Sequence, residues 1–438
     1  MSESVSSRII TDLKHKVMKA VKTSKDNDYI VNPERNYTRN SKIGLLKTVF
    51  ILMSFNGNGL KYELNSFFKD EDLSLSPGGL VRSRAKIKHE LFIDIFNRFN
   101  TNHKCDKKYK GYHLISIDGS DINIPYDNKD LSTLHGSRHK DDGSPGIFYN
   151  QFHLNGMYDS LNNRFIDCII QGTRECDEIK AMITMCERYK GEPSIFIADR
   201  GYEAINLFEH LDKLENHKYL IRVKDIDNKV SMFKNIRFET DEFDKDISFT
   251  LTNLNRKPYN KNPKYKIIQK YQTFDYLDDD NHFYDTKWRL VRFKIEDSYE
   301  LIITNLDRGT FNSEDIKYIY NKRWKIETAY RYLKQDLKLE KFLSRKREFI
   351  KQEIWIKLIL YNLSIIITNK LEERRINKKK RKHEYKINLS LAIKTIIDNL
   401  LKAIRKGGIP PDLDEMIISE LSPIRNDRRF ARIKRKPR

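Results

Sequence analysis

Apolar residues recur every three or four positions through RIITDLKHKVMKAV (8–21), KIGLLKTVFILM (42–53) and LKYELNSFF (60–68). That period predicts helices over roughly the first hundred residues. SLSPGGLVRSRAKIKHELFIDIFNRF (74–99) continues it, with Ser76 as a cap and Pro77 in the first turn, followed by Arg82, Arg84, Lys86 and Lys88. The period changes at residue 111. HLISIDGSDINIP (113–125) alternates and is rich in β-branched residues, which predicts a strand. A Gly-, Ser- and His-rich loop (134–146) leads to two more strands, IFYNQFHLNGMYD (147–159) and RFIDCIIQ (164–171), turning at Asn162 and Asn163. Then helices and strands alternate: helix 176–190, the short apolar strand in SIFIADRGY (194–202), helix 203–214 and strand KYLIRVK (218–224). Residues 226 to 306 show no helical period and read as strands and turns. Helical text resumes at Ser313, and EFIKQEIWIKLILYNLSIIITNKLEERR (348–375) is apolar almost all round, which predicts a buried helix with Trp355 in a core.

Antiparallel-looking strands followed by βαβ alternation predict an α/β fold with a mixed sheet and an inserted β subdomain (about 226–300). The expected domains are a helical N-terminal domain (1–108), an α/β domain (109–370) and a helical, basic C-terminal region (371–438).

Charge narrows the function. The 438 residues carry a formal net charge of +21, while 39% hydrophobic and 11% aromatic content belong to a folded chain. An excess this large points to a polyanionic partner, of which nucleic acid is the commonest. No signal peptide, lipidation motif or 18-residue apolar run is read in the sequence, so no membrane partner and a cytoplasmic location are expected. The four cysteines (Cys105, Cys168, Cys176 and Cys186) lack disulfide or zinc spacing and are read as reduced. From residue 371 there are 20 Lys and Arg against 9 Asp and Glu, and the runs KKKRK (378–382) and RIKRKPR (432–438) fit either a DNA-backbone tail or a solvated one. The basic helix at 74–99 is equally open between DNA binding and an ordinary solvated face.

Three carboxylates require a physical reason. On a helical wheel of YNKRWKIETAYRYLK (320–334), Tyr320, Arg323, Glu327 and Lys334 share an arc of roughly 60° beside the apolar stripe. An Arg323–Glu327 salt bridge would account for that helix alone, at a few tenths of a kcal/mol. Asp118, however, ends the apolar strand ISID, and Asp199 ends IFIAD ahead of Gly201. Acidic groups at the ends of buried strands are costly unless paired or metal-bound, and open α/β sheets place their chemistry there. Three hard oxygen ligands suit two Mg²⁺ ions and phosphodiester chemistry.

The spacing Tyr320-x2-Arg323-x3-Glu327-x6-Lys334 resembles the YREK signature of bacterial insertion-sequence transposases. IDGSD around Asp118 and IADRGY around Asp199 resemble the first two motifs of the same enzymes, and a β-rich insertion before the glutamate is typical of them. The resemblance implies an RNase H-like fold and a DDE triad of Asp118, Asp199 and Glu327 holding two Mg²⁺ ions, for which Mn²⁺ substitutes. It implies cleavage at terminal inverted repeats and strand transfer, by cut-and-paste through a hairpin. It also implies double-stranded DNA partners (element ends and target), a synaptic homodimer and a bacterial, nucleoid-associated location. Tyr320, Arg323 and Lys334 would face the DNA strand beside the scissile phosphate, with Arg222, Lys224 and Arg200 as further backbone contacts. Trp288 would either stack on an extruded base or serve as a strand aromatic. The rival expectations are a silenced or domesticated DNA-binding descendant and an RNase H-like nuclease without strand transfer.

Overall fold

A computed structural model describes residues 4–39, 41, 43–69, 71–136, 146–234, 236, 238–296, 298–375, 384–406 and 408–424. Both basic runs, 378–382 and 432–438, and most of the 134–146 loop lie outside the described residues. The chain forms two compact units. One comprises Met1–Lys104 with Tyr332–Arg438, the other Cys105–Arg331.

The first unit is helical. Its N-terminal part holds α1 (Val5–Lys22), α2 (Leu45–Met53), α3 (Leu60–Phe67), α4 (Pro77–Arg84) and α5 (Glu90–Asn102). The Ser76 hydroxyl accepts from Gly79 N and Pro77 opens α4, as the sequence pattern requires. The basic stretch that follows is divided differently from expectation. Arg84 is only 3% exposed and pairs with Glu353 at 2.7 Å, with Gln352 Oε1 as a further acceptor. It is a core ion pair, satisfied because a lone buried guanidinium would be prohibitive. Arg82 alone of the four basic residues is fully on the surface.

In the second unit, ten strands form one sheet among the described residues. β1 (His113–Ile124), β2 (Leu134–His135), β3 (Tyr149–Asp159) and β4 (Arg164–Gly172) precede α6 (Glu178–Arg188), β5 (Ser194–Ala198), α7 (Ile205–Asp212) and β6 (His217–Val223). β4, β3 and β1 are successive antiparallel neighbours, and β5 and β6 add in parallel beyond β1. That order is the RNase H-like arrangement. The β-rich stretch continues the same sheet. β7 (Phe243–Thr252), β8 (Tyr265–Ile267), β9 (Phe283–Ile295) and β10 (Ser298–Thr304) extend it from β6 in the order β10, β9, β7, β8. Alternate residues divide between two cores. Ile115, Ile117, Phe196 and Ala198 pack on one face with Met182 and Met185 of α6 and Leu207 and Phe208 of α7. Leu114, Ile195, Ile197, Leu220 and Ile302 pack on the other, with Ile316 and Ile319 of α8 (Ser313–Asn321). Burial on both faces is why IFIA reads as an unbroken apolar run. At about 1.5–3 kcal/mol per buried aliphatic side chain, these two layers dominate the unit's stability.

α9 (Trp324–Gln335) starts in the second unit and ends in the first. α10 (Arg347–Arg374), α11 (Leu389–Lys406) and α12 (Leu413–Ser419) then complete the helical unit, with β11 (Tyr385–Ile387) pairing β12 (Leu421–Pro423). α10 does contain a stretch long and apolar enough to cross a membrane, contrary to the sequence reading, but 89% of that stretch is buried inside the protein. Trp355 lies in this core at 3% exposure.

Candidate active site

Asp118 sits where β1 leaves its pairing with β5. The parallel ladder runs from His113 to Ser116, whereas the antiparallel ladder with β3 continues to Ile124 and places Asp118 opposite Gly156. Asp199 follows the last residue of β5, and its Oδ1 accepts from Gly201 N at 2.8 Å to cap a short turn, Arg200–Tyr202. Glu327 stands in the first turn of α9. The Tyr330 hydroxyl, one turn on, lies 2.8 Å from Asp118 O and 3.1 Å from Leu154 O, and so seats the helix against β1 and β3. A Cβ at Gly156 would lie 2.5 Å from that hydroxyl, so only glycine admits the ring. Gly156→Ala is therefore expected to destabilise the fold by about 1–3 kcal/mol, as overpacking does. Urea denaturation of the variant checks this.

The sequence treats residues 320–334 as one helix, but the structure divides them. α8 ends at Asn321, and Lys322 and Arg323 make three-residue turns to Ile319 O and Tyr320 O before α9 begins. No Pro or Gly marks this break, so no residue signals it. Arg323, buried at 4% exposure, benefits from the break. Its Nη1 lies 3.0 Å from Glu327 Oε1 and 3.9 Å from Asp118 Oδ2, placing one cation between two of the three carboxylates. Burial opposes charge on Arg323, but Tyr320, Glu327 and Asp118 outweigh it and its pKa is raised. Asp118 shows the opposite balance. Burial foremost, then the charges of Asp199 and Glu327, push its carboxyl up to about 7 although Arg323 pulls it down. The three acids thus face one another electrostatically. Among the described residues, the acidic and His group whose ligand atoms come within 4.8 Å of one another is instead His89, Glu90 and Glu348 in the helical unit.

The remaining expected contacts separate by burial. Arg200 is exposed. Arg222 is 33% exposed and pairs with Glu300 at 3.2 Å, while Lys224 lies 3.6 Å from Glu203. Lys334 lies in the last turn of α9, in the part that belongs to the helical unit. Tyr320 is 4% exposed and belongs to the apolar cluster that also holds Leu220 and Ile302. Trp288 takes the second of its two expected roles, a strand aromatic. It is 1% exposed, edge-on to Phe208 and Phe233, and its Nε1–H donates to Glu209 Oε1 at 2.8 Å. It cannot stack on a base without leaving the core. Trp288→Phe should leave DNA affinity unchanged in an electrophoretic assay. It should cost about 1–3 kcal/mol of stability, because the buried Glu209 loses a donor. Trp324 is 44% exposed, with the Arg323 guanidinium 4.5 Å from its ring.

Two groups beside the acids escaped the sequence reading. His153 of β3 lies 2.8 Å from Asp121 through Nδ1 and 2.8 Å from Glu178 through Nε2. Tyr202, 2% exposed, carries a hydroxyl without a hydrogen-bond partner among the described residues. Register explains why they were missed: β1 and β3 bring Asp121 opposite His153, a pairing no local pattern encodes.

Sheet order and acidic residues together define the class, an RNase H-like protein with one carboxylate in its first strand and another just past β5. Residues 109–363 match the family described as Transposase DDE domain, and the chain belongs to that family: it is a DDE transposase. The solved structures include a similar chain in a cryo-EM synaptic complex of piggyBac transposase with hairpin DNA. It is 9% identical, with 93% of this chain and 82% of that one covered and a TM-score of 0.45. No curated protein matches.

Proposed function

We propose that the protein is the transposase of a bacterial insertion sequence, with Asp118, Asp199 and Glu327 as its metal-holding triad. It would bind terminal inverted repeats, cleave them and transfer the freed strand to target DNA within a homodimeric synaptic complex at the nucleoid. The observation that carries this reading is the burial of Asp118 against Asp199 and Glu327, which lifts its carboxyl to about 7. A site built this way calls for added positive charge, and its donors are hard oxygens, the set that fits Mg²⁺. Bound there, a pair of such ions supplies activation of water and stabilisation of charge at the scissile phosphate.

The chain's own residues do the rest. Asp118 holds the site from within β1 and Asp199 from just beyond β5, and Glu327 closes it from α9. Arg323, itself 4% exposed, neutralises part of the acidic charge from its position between Asp118 and Glu327. Arg222, Lys224, Arg200 and Lys334 supply charge to the DNA backbone. A hydroxyl freed at an element end is chemically equivalent to water as a nucleophile, so one site suffices for cleavage, hairpin formation and strand transfer. Purified protein with DNA carrying the element's own ends tests this: Mg²⁺-dependent nicking, hairpins and joined products are expected. Binding without cleavage would support the domesticated reading, and cleavage without joining the nuclease reading.

A further inference from the structure

Glu178 joins the two aspartate motifs from the opposite side of the sheet. Its Oε1 lies 2.5 Å from where a Cβ of Gly119 would stand, immediately after Asp118. Its Oε2 lies 3.9 Å from the corresponding point at Gly201, a point itself 3.1 Å from Asp199 Oδ1. One carboxylate therefore borders the strand residue after Asp118 and the turn after Asp199. It does not float there. Asp177 caps α6 through Lys180 N and sets Glu178 in the first helical turn. His153 Nε2 lies 2.8 Å from Glu178 Oε1, and Asp121 Oδ1 holds the other ring nitrogen at 2.8 Å. Asp121 is on the same strand as Asp118, so the row Asp121, His153 and Glu178 leads from the strand of the first aspartate to the first turn of α6.

An independent feature points to a ligand here. The Tyr202 hydroxyl is buried with its ring at 2% exposure, has no hydrogen-bond partner among the described residues, and feels Glu178, Asp118 and Asp199 as its charged neighbours. A buried O–H among three carboxylates with no acceptor is costly unless an oxygen outside the protein completes it. Hydrated divalent ions bring such oxygens, because Mg²⁺ keeps waters when it binds.

We infer that Glu178, set between His153 and the Asp199 turn, is a positioning residue of the divalent-cation site, adding a fourth negative charge beside the Tyr202 hydroxyl. The inference rests on the metal-triad reading above. Removal of groups that orient metal-holding residues typically costs about 10–100-fold in metal affinity. The test is Mn²⁺ binding to the full chain, measured by calorimetry and by the electron paramagnetic resonance of the bound ion. Glu178→Gln and His153→Asn are each expected to weaken Mn²⁺ by about tenfold or more. Tyr202→Phe, which removes only the orphaned hydroxyl, should weaken it in the same direction with the thermal midpoint retained. Wild-type affinity in Glu178→Gln and His153→Asn, alongside lost binding in Asp118→Asn, would overturn the inference while leaving the triad standing. Wild-type affinity in Asp118→Asn would instead overturn the triad itself. Should Glu178→Gln fail to fold, Tyr202→Phe decides: unchanged affinity and resonance there count against the inference.

Discussion

Asp118→Asn, Asp199→Asn and Glu327→Gln are each expected to abolish Mg²⁺-dependent cleavage of element-end DNA while leaving the affinity for that DNA nearly unchanged. Each substitution keeps the shape of the side chain and removes one charge. Losing a charged holder from a metal-assisted phosphoryl-transfer site forfeits several kcal/mol of transition-state stabilisation, and about 4 kcal/mol corresponds to about a thousand-fold in rate. Affinity behaves differently because it is carried by phosphate contacts from basic side chains. Removing a carboxylate near the DNA lowers repulsion and, if anything, tightens binding slightly. The Glu327 variant carries an added readout. Arg323 Nη1 lies 3.0 Å from Glu327 Oε1 and 3.9 Å from Asp118, so neutralising Glu327 turns that guanidinium toward Asp118 alone. Single-turnover cleavage with gel-shift affinities on the same preparations checks all three variants. Near-wild-type cleavage by any one removes that residue from the site.

The sequence carried more of this site than of its surroundings, for physical reasons. Asp199 was legible because an acidic residue ending an apolar strand violates the local pattern, and Asp118 because it follows an apolar run, although β1 in fact continues past it to Ile124. Glu327 was legible because it borders a helix's apolar stripe. What the wheel could not see was the break at Lys322 and Arg323, which has no helix-breaking residue. Nor could it tell that Tyr320 turns its ring into the core, since an aromatic beside an apolar stripe fits core and surface alike. Trp288 shows the same ambiguity in a strand: a single indole reads as ligand platform or as core until Glu209 is seen beneath it. The β-rich stretch was legible as strands, but its fusion to β6 through β10 depends on long-range pairing between residues about eighty positions apart. Charge misled in one place. Arg84 looked like part of a DNA-facing row and is an interior ion pair with Glu353, a partner 269 residues away.

Asp118→Asn is also expected to make the protein more stable, in a pH window set by the carboxyl it replaces. Asp118 titrates at about 7 in the folded chain against an ordinary value of 3.8, with its side chain 19% exposed. Between those values the folded state holds a proton that the unfolded state has released, so stability falls as pH rises from about 4 to about 7. A shift of about 3 units amounts to about 4 kcal/mol, lost in full above the folded value. Asn mimics the protonated carboxyl and escapes the penalty. Urea denaturation without divalent cations should therefore show the two proteins equal near pH 4, with the variant about 2–4 kcal/mol more stable at pH 8. Adding Mg²⁺ at pH 8 should close the gap by stabilising the wild type selectively, since an ion that binds only the folded state adds its binding free energy to folding. Equal stabilities at pH 8 without the ion would show that the Asp118 carboxylate is not under strain from Asp199 and Glu327. A variant stabilised as much as the wild type by Mg²⁺ would place the ion elsewhere, and the His89, Glu90 and Glu348 group in the helical unit would be the next to substitute.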